Sequence, residues 1–209
     1  MYMHQPRLVH VHASSRDGEF FEVCRRSPPD CGLWRAPSVD GEDVAARLVE
    51  YALGSQARQY FRSSERCFPL FYEGRYFSVA HSPATTVVVV AGVPIGVDVE
   101  QRLTRQACSD LAWAWSPEEG RELVGEVAEE CTATEIWTAK EAAGKALGVG
   151  LQAMPFGIAS TPSPTADAHR DIVMSTATGE AVSLDSHGMW CGESHLRVAW
   201  RLEPPAPWP

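Results

Sequence analysis

The spacing of apolar positions along the chain predicts a mixture of helices and short strands. Val44, Leu48 and Tyr51 recur at helical spacing, so the segment 41–53 is predicted to be an amphipathic helix with these three residues on one side. Apolar or alternating runs bounded by turn residues predict strands at 76–80, 87–91, 93–100, 172–174, 181–184 and 195–202. This mixture of elements favours the α+β class.

Two capping sequences predict where the later helices begin. Ser116 is followed by Pro117 and, three residues on, by Glu119, which predicts a capped helix running to about residue 128. The segment 132–135 offers a second capping box, and its helix is expected to end at Leu147, before a terminating glycine.

The remaining segments are predicted from composition and weak alternation. Residues 160–167 are rich in Pro, Ser, Thr and Ala and are expected to form a loop, and the tail from about residue 203 is expected to be loose. Weak alternation over 8–12 suggests a strand that would place His10 and His12 on one face. These histidines are either metal ligands or an ordinary strand surface.

Composition narrows the functional classes. The chain has 209 residues and a formal net charge of −9, which allows one large or two small domains and argues against bulk binding to nucleic acid or to an anionic membrane. No apolar run resembles a signal peptide or spans a bilayer, so we expect a cytoplasmic protein. Six cysteines without a Cys-x-x-Cys pair indicate neither a zinc site nor a disulfide framework.

The first candidate site lies on the strand predicted over 93–100. Because alternate residues of a strand share a face, Asp98 and Glu100 point to the same side, together with Gly96. Two neighbouring carboxylates repel each other unless a cation lies between them, and oxygen ligands suit Mg²⁺. The alternative is a solvated strand face that carries two acids.

The second candidate site uses both lysines of the chain, Lys140 and Lys145, which flank Glu141 on the last predicted helix. Trp137, Glu141 and Lys145 are spaced at i, i+4 and i+8 and therefore line one face. Glu141 could act as a metal ligand or general base, and Lys145 could meet a phosphate. The alternative is an ordinary surface Glu–Lys pair. Gly144 interrupts the helix, which suggests that something approaches its backbone there.

The third candidate site is the pair His81-Ser82 at the end of a predicted strand. A histidine and a hydroxyl at such a position can bind an anion, or they can simply form a turn. A serine hydrolase is not indicated, because Gly-x-Ser-x-Gly is absent, and no P-loop or dinucleotide-binding fingerprint appears.

Taken in order, the three sites resemble a known family. His81-Ser82, then Gly96-Val97-Asp98-Val99-Glu100, then Trp137-x-x-Lys140-Glu141-Ala142-x-x-Lys145 are similar to the motifs of the 4′-phosphopantetheinyl transferases of the surfactin-synthetase-activating type. The resemblance implies transfer of the phosphopantetheine arm of coenzyme A to a serine of an acyl or peptidyl carrier protein, with release of adenosine 3′,5′-bisphosphate. It also implies a monomeric pseudodimer of two similar α+β halves, 1–94 and 95–209, with the active site in the cleft between them.

The resemblance also assigns roles to residues. It implies that Mg²⁺, or Mn²⁺, is held by three carboxylates, and that Glu141 is also the base for the incoming serine. Lys145 would contact the phosphate, with Lys140 at the edge of the site. The residues implied for the metal are Asp98, Glu100 and Glu141, and those implied for coenzyme A are His81, Ser82, Arg66, Lys140 and Lys145.

The chain departs from the family pattern in its N-terminal half. The family usually carries Gly-Lys-Pro ahead of the His-Ser pair, whereas this chain has Glu65-Arg66-Cys67, so Arg66 is the expected substitute for the lysine. The usual residues after the His-Ser pair are replaced by Pro83-Ala84. The 3′-phosphate clamp is not recognisable, and four arginines remain open as substitutes: Arg35, Arg47, Arg58 and Arg62.

Carrier proteins of this kind are acidic, and so is this chain, so docking would need a local basic patch. We expect 102–115 to supply it, with Arg102 and Arg105 beside two tryptophans that are either docking residues or core residues. Two other functions stay open from sequence. One is a non-catalytic relative that binds coenzyme A or a carrier, and the other is a metal-dependent phosphodiester hydrolase.

Overall fold

The computed structural model describes residues 31–38, 41–63, 69–123, 129–150, 157–162, 170–175 and 181–201. These residues form two antiparallel sheets and five α-helices, which confirms the α+β class. The first sheet has the order β1-β4-β3-β2, with β1 Gly32–Pro37, β2 Leu70–Tyr72, β3 Arg75–His81 and β4 Thr85–Ala91. The second has the order β5-β9-β8-β7-β6, with β5 Ile95–Gln101, β6 Ile158–Pro162, β7 Arg170–Ser175, β8 Ala181–Cys191 and β9 Ser194–Trp200. The helices are α1 Gly41–Leu53, α2 Ser55–Ser63, α3 Arg105–Asp110, α4 Pro117–Glu122 and α5 Glu129–Leu147.

The two sheets share one hydrophobic core, and helices cover their other faces. Val87 and Val89 of β4 pack with Val97 and Val99 of β5 between the sheets. The alternate residues of β4 pack instead in a second core with α1 and α2, whereas α5 packs on the far side of the second sheet. Strand β4 is therefore buried on both faces, which explains why its sequence is a continuous valine run rather than an alternating one.

Most of the elements expected from sequence are confirmed. The helix over 41–53 has the predicted bounds, and strands occur at each predicted strand segment within the described ranges. Val44 and Leu48 are buried, whereas Tyr51, at the end of the same apolar side, is 52% exposed.

Three expected boundaries were wrong. The helix that Ser116 caps has the predicted capping box but ends at Glu122 rather than near 128, and residues 124–128 lie outside the described ranges. Helix α5 already includes Glu129, so the capping box expected at 132–135 lies inside it. Ser160, expected in a loop, belongs to β6, which extends to Pro162.

Other expectations fall outside the described residues and stay untested. These are the strand over 8–12 with its two histidines, most of the loop over 160–167, the tail from about 203, and Arg66. The predicted end of α5 is confirmed, because Gly148 follows Leu147 with φ of 72°, a left-handed conformation that favours glycine.

Gly96 allows α5 to lie directly on β5. A Cβ atom at this position would be 2.5 Å from the amide nitrogen of Ala146 and still closer to the carbonyl oxygen of Ala142, both on α5. The close approach that the sequence suggested for Gly144 has a different origin. A Cβ there would meet only the backbone of Gly150, at 3.4 Å, which is the chain's own return after the helix.

We predict that Gly96→Ala strongly destabilises the protein, because the clash is with backbone atoms that cannot rotate away. Overpacking a core typically costs about 1–3 kcal/mol, and we expect this substitution to reach or exceed the upper end. Urea unfolding followed by circular dichroism measures the change in free energy. Gly144→Ala is the control, because its methyl group has ordinary contacts and alanine is favoured over glycine in a helix by about 1 kcal/mol. If both variants were equally stable, α5 would not depend on Gly96.

Candidate functional site

Strand β5 presents its carboxylates to α5, as the alternation predicted. Ile95, Val97 and Val99 point into the core between the sheets. Gly96 faces the backbone of α5, and Asp98, two residues later, is buried on the same side. The apolar residues of β5 pack towards the valines of β4. Because alternate residues of a strand point to opposite faces, the acids of β5 must then point away from β4.

Helix α5 brings Lys145 into direct contact with this strand. Its ammonium donates to Oδ1 of Asp98 at 2.8 Å and to the carbonyl oxygen of Val97 at 3.1 Å. Glu141 lies one turn earlier on the same face of the helix, close enough for its charge to interact with Asp98 and Lys145. The sequence prediction that these residues share a face is therefore confirmed.

Burial and mutual repulsion change the proton affinity of the acids. The pKa of Glu100 is raised to about 7, first by burial and then by the charges of Asp98 and Glu141. Lys145 and a hydrogen bond with Trp137 oppose that shift. The pKa of Glu141 is also raised to about 7, by burial and then by Asp98, with Lys145 opposing.

Lys145 is the counter-charge of this cluster. Burial by itself would lower the pKa of its ammonium, but the nearby carboxylates, Asp98 first, outweigh burial and raise it. Lys145 is therefore held in its charged form by the acids around it. Three carboxylates facing one ammonium leave the cluster short of positive charge.

The donor chemistry of this cluster fits a hard divalent cation, although the described residues do not form a complete set of metal ligands. Among the residues that the structure describes, no group of three or more His, Cys, Asp or Glu is arranged to hold a metal ion. However, Oδ2 of Asp98 is buried and has no hydrogen-bond partner. Mg²⁺ usually needs only one or two carboxylates and takes its other ligands from water and phosphate.

Lys140, the other lysine, lies apart from the acid cluster. Its side chain is fully buried and donates to Oε2 of Glu119 and to the carbonyl oxygen of Ala114, both at 2.6 Å. Its ammonium is therefore engaged within the protein rather than directed at a ligand. The predicted place of Lys140 at the edge of the coenzyme A site stays a prediction.

The predicted anion-binding pair differs in exposure. His81 ends β3 with an exposed side chain, whereas Ser82 is buried. The hydroxyl of Ser82 accepts from the backbone N–H of Thr85 at 3.3 Å, and its own N–H donates to the carbonyl oxygen of Thr85. Ser82 thus has a turn-forming role in the structure, and phosphate binding by either residue stays a prediction.

One of the candidate phosphate-binding arginines is held by an acid. Arg58 on α2 donates to Glu50 on α1 at 2.6 Å, which ties the two helices together. This ion pair gives no reason to prefer Arg35, Arg47 or Arg62 as the residue that binds the 3′-phosphate.

The segment 102–115 combines exposed and buried residues. Arg102 lies over the ring of Trp190 at 5.5 Å and pairs with Glu193 at 3.6 Å, with much of its side chain still exposed. Trp113 is 51% exposed, whereas Trp115 is buried and its indole donates to the carbonyl oxygen of Cys108. The two tryptophans therefore divide between the surface and the core.

Two buried residues that contact α5 were missed from sequence. His195 on β9 lies opposite Glu100 of β5 in the strand pairing, is buried, and shares a hydrogen bond of 2.7 Å with Thr138 on α5. Glu119 was recognised only as a helix cap. Strand pairing and burial decide both roles, and neither produces a local sequence pattern.

One family model matches the part of the chain that carries this cluster. Residues 94–195, just under half of the chain, match the model of the 4′-phosphopantetheinyl transferase superfamily. The match contains β5 and α5, so it covers all the carboxylates of the cluster and both lysines. No curated protein matches the chain. No helix in the described ranges has the length and apolar character needed to cross a membrane.

We predict that the acid cluster makes the metal-free protein less stable as the pH rises. A carboxyl group whose folded pKa is raised binds a proton more tightly in the folded state, so its contribution to stability is lost between its unfolded pKa, about 4.3 for glutamate, and its folded pKa. For Glu141 and Glu100 the folded value is about 7.

The measurement is the melting temperature of Glu141→Gln relative to the unmodified protein, from pH 4.5 to 7.5 in the presence of a chelator. The difference should be small at pH 4.5 and should increasingly favour the variant towards pH 7.5, because glutamine removes the charge. Glu118→Gln, at an exposed position on α4, is the control and should show no such trend. If the difference in melting temperature for Glu141→Gln did not change with pH, the pKa of this carboxyl group would not be raised in the folded protein.

Proposed function

We propose that this protein transfers the 4′-phosphopantetheine arm of coenzyme A to a serine of an acyl or peptidyl carrier protein. The observation that carries the proposal is the contact between Lys145 and Asp98, with Glu141 beside them on the same helix face. The superfamily match over 94–195 supports phosphopantetheinyl transfer in general. The nature of the acceptor and the release of adenosine 3′,5′-bisphosphate belong to the proposal.

Glu141 is proposed to take the proton of the incoming serine. A serine hydroxyl is a poor nucleophile until a base removes its proton, and a base works best when its pKa lies near the working pH. In the metal-free protein, burial and the charge of Asp98 raise the pKa of Glu141 to about 7, which lies near that range.

Lys145 is proposed to stabilise the negative charge that develops as the pyrophosphate is cleaved. Its ammonium is held charged by the carboxylates and already lies against β5, so it need not be organised during the reaction. Asp98, Glu100 and Glu141 would hold Mg²⁺, which would neutralise phosphate charge when bound. His81, Ser82 and Arg66 are the proposed contacts for coenzyme A.

The proposed architecture is the pseudodimer of the surfactin-synthetase-activating type, with halves 1–94 and 95–209 and the site in the cleft between them. It is supported by the two antiparallel sheets, each covered by helices on the side away from the shared core. We further propose a cytoplasmic monomer that does not bind nucleic acid.

We predict that the purified protein, given coenzyme A, Mg²⁺ and an apo carrier, adds the phosphopantetheine mass to the carrier. Mass spectrometry of the intact carrier reads this directly. Glu141→Gln should lower kcat by at least about 100-fold, because general base catalysis typically contributes about 10²–10⁴. Glu118→Gln should retain the activity of the unmodified protein.

The same assay separates the other functions. Bound coenzyme A with no change in carrier mass would indicate a non-catalytic binder. Breakdown of coenzyme A in the absence of a carrier would indicate a phosphodiester hydrolase. Either result would overturn the proposed transfer.

We predict that reversing the charges of Arg102 and Arg105 weakens docking of the acidic carrier. The double change to glutamate should raise KM for the carrier several-fold and leave KM for coenzyme A unchanged, with the effect growing at low salt. Arg121→Glu on α4 is the control, because Arg121 is exposed outside the proposed docking segment. An unchanged KM for the carrier would reject 102–115 as its docking surface.

A further inference from the structure

The carboxylate of Glu119 is buried beneath the N-terminus of α4 and fully hydrogen-bonded. Oε2 accepts from the N–H of Ser116 at 2.7 Å and from the ammonium of Lys140 at 2.6 Å. Oε1 accepts from the N–H of Ser160 on β6 at 2.8 Å. One side chain therefore joins three parts of the second half of the chain: α4, α5 and the edge strand of the second sheet.

The ammonium of Lys140 is equally enclosed. It donates to Glu119 and to the carbonyl oxygen of Ala114, just before α4, and its side chain has no exposed surface. Buried ion pairs give weak evidence for stability, since well-packed apolar residues of similar size often serve as well. We therefore expect this ion pair to contribute more to the orientation of α5 than to the free energy of unfolding.

The apolar part of the α5 interface gives little control over the rotation of the helix. Its contacts with the second sheet are made largely by the small side chains of Ala139, Ala142, Ala143 and Ala146. Alanines allow a close approach, but they do not interlock with neighbours as larger side chains do. The rotation about the helix axis is therefore set by directional contacts, namely those of Lys145 with Asp98, of Thr138 with His195 and of Lys140 with Glu119.

Rotation of α5 matters because it moves the side chains, such as that of Glu141, that the helix contributes to the acid cluster. A helix with its side chains has a radius of about 5–6 Å, so a rotation of about 20° moves a side-chain tip by about 2 Å. A displacement of about 1 Å is enough to reduce catalysis strongly. Lys140 directly precedes Glu141, about 100° away around the helix, so fixing one residue fixes the other.

We propose that the buried Glu119–Lys140 ion pair is a positioning device: it fixes the rotation of α5 about its own axis and so places the carboxylate of Glu141 against β5. The consequence for activity rests on the proposed transfer function, whereas the consequence for α5 itself does not. The hydrogen bonds of both partners go to groups outside the acid cluster, so both are positioning residues in this proposal rather than catalytic ones.

The test compares the single variant Lys140→Met with the double variant K140M/E119Q. The single change leaves a buried carboxylate without its cation, so the melting temperature and kcat should both fall. The double change removes both charges, so the melting temperature should largely recover. If the pair positions α5, kcat should stay at least tenfold below that of the unmodified protein, with KM for coenzyme A changed by less than about twofold.

The control is the double variant R121M/E118Q, which removes an exposed ion pair on α4 with a separation of 2.7 Å. Its kcat and melting temperature should stay close to those of the unmodified protein. Recovery of both kcat and melting temperature in K140M/E119Q would overturn the proposal, and so would an equal loss of kcat in the control. If K140M/E119Q does not fold, Lys140→Arg decides, because it keeps the charge but changes its shape; full kcat in that variant would overturn the proposal.

Hydrogen exchange keeps this test separate from the proposed function. In K140M/E119Q the amides of 137–147 should exchange at least tenfold faster than in the unmodified protein, even though the melting temperature has recovered. Unchanged exchange would overturn the positioning role, whether or not the protein is a transferase. Absence of transfer by the unmodified protein would overturn the proposed function alone, and exchange would then decide the role of the ion pair.

Discussion

Strand β5 and helix α5 lie closer together than side chains ordinarily permit, and the candidate site depends on that contact. It is possible because Gly96 has no side chain where the backbone at Ala142 and Ala146 passes. The ammonium of Lys145 can consequently reach both a carboxylate and a backbone carbonyl oxygen of β5. With a larger residue at position 96, α5 would be displaced and its face would no longer meet the acids of the strand.

The same proximity removes water from the carboxylates and makes their repulsion costly. Burial and neighbouring acids raise the pKa of Glu100 and of Glu141 to about 7. The charge of Lys145 acts in the other direction and lowers both pKa values. Perturbed carboxyl groups that share a site with a counter-charge are typical of functional sites, because structural needs alone rarely gather like charges. The cluster therefore has the electrostatic character of a candidate functional site.

The faces of individual elements could be predicted from sequence, but the distances between elements could not. Alternation on β5 and the i, i+4, i+8 spacing on α5 follow from backbone periodicity, so the orientations of Asp98 and Lys145 were predictable. Glu119 shows the limit. Its capping box was evident from local spacing, yet its burial against Lys140 depends on how α4 packs on α5, 21 residues later. Thr134 illustrates a related difficulty, since a residue typical of helix starts lies within α5 and donates to the carbonyl oxygen of Glu130.

The two lysines of this arginine-rich chain have similar sets of hydrogen-bond acceptors. Each donates to one carboxylate oxygen and to one backbone carbonyl oxygen, Lys145 on β5 and Lys140 beside α4. An ammonium directs its three N–H bonds outward from a compact centre, so it can serve acceptors that lie in different directions. A guanidinium is planar and best suited to a bidentate carboxylate. The shape of the two acceptor sets thus suits an ammonium better than a guanidinium at these two positions.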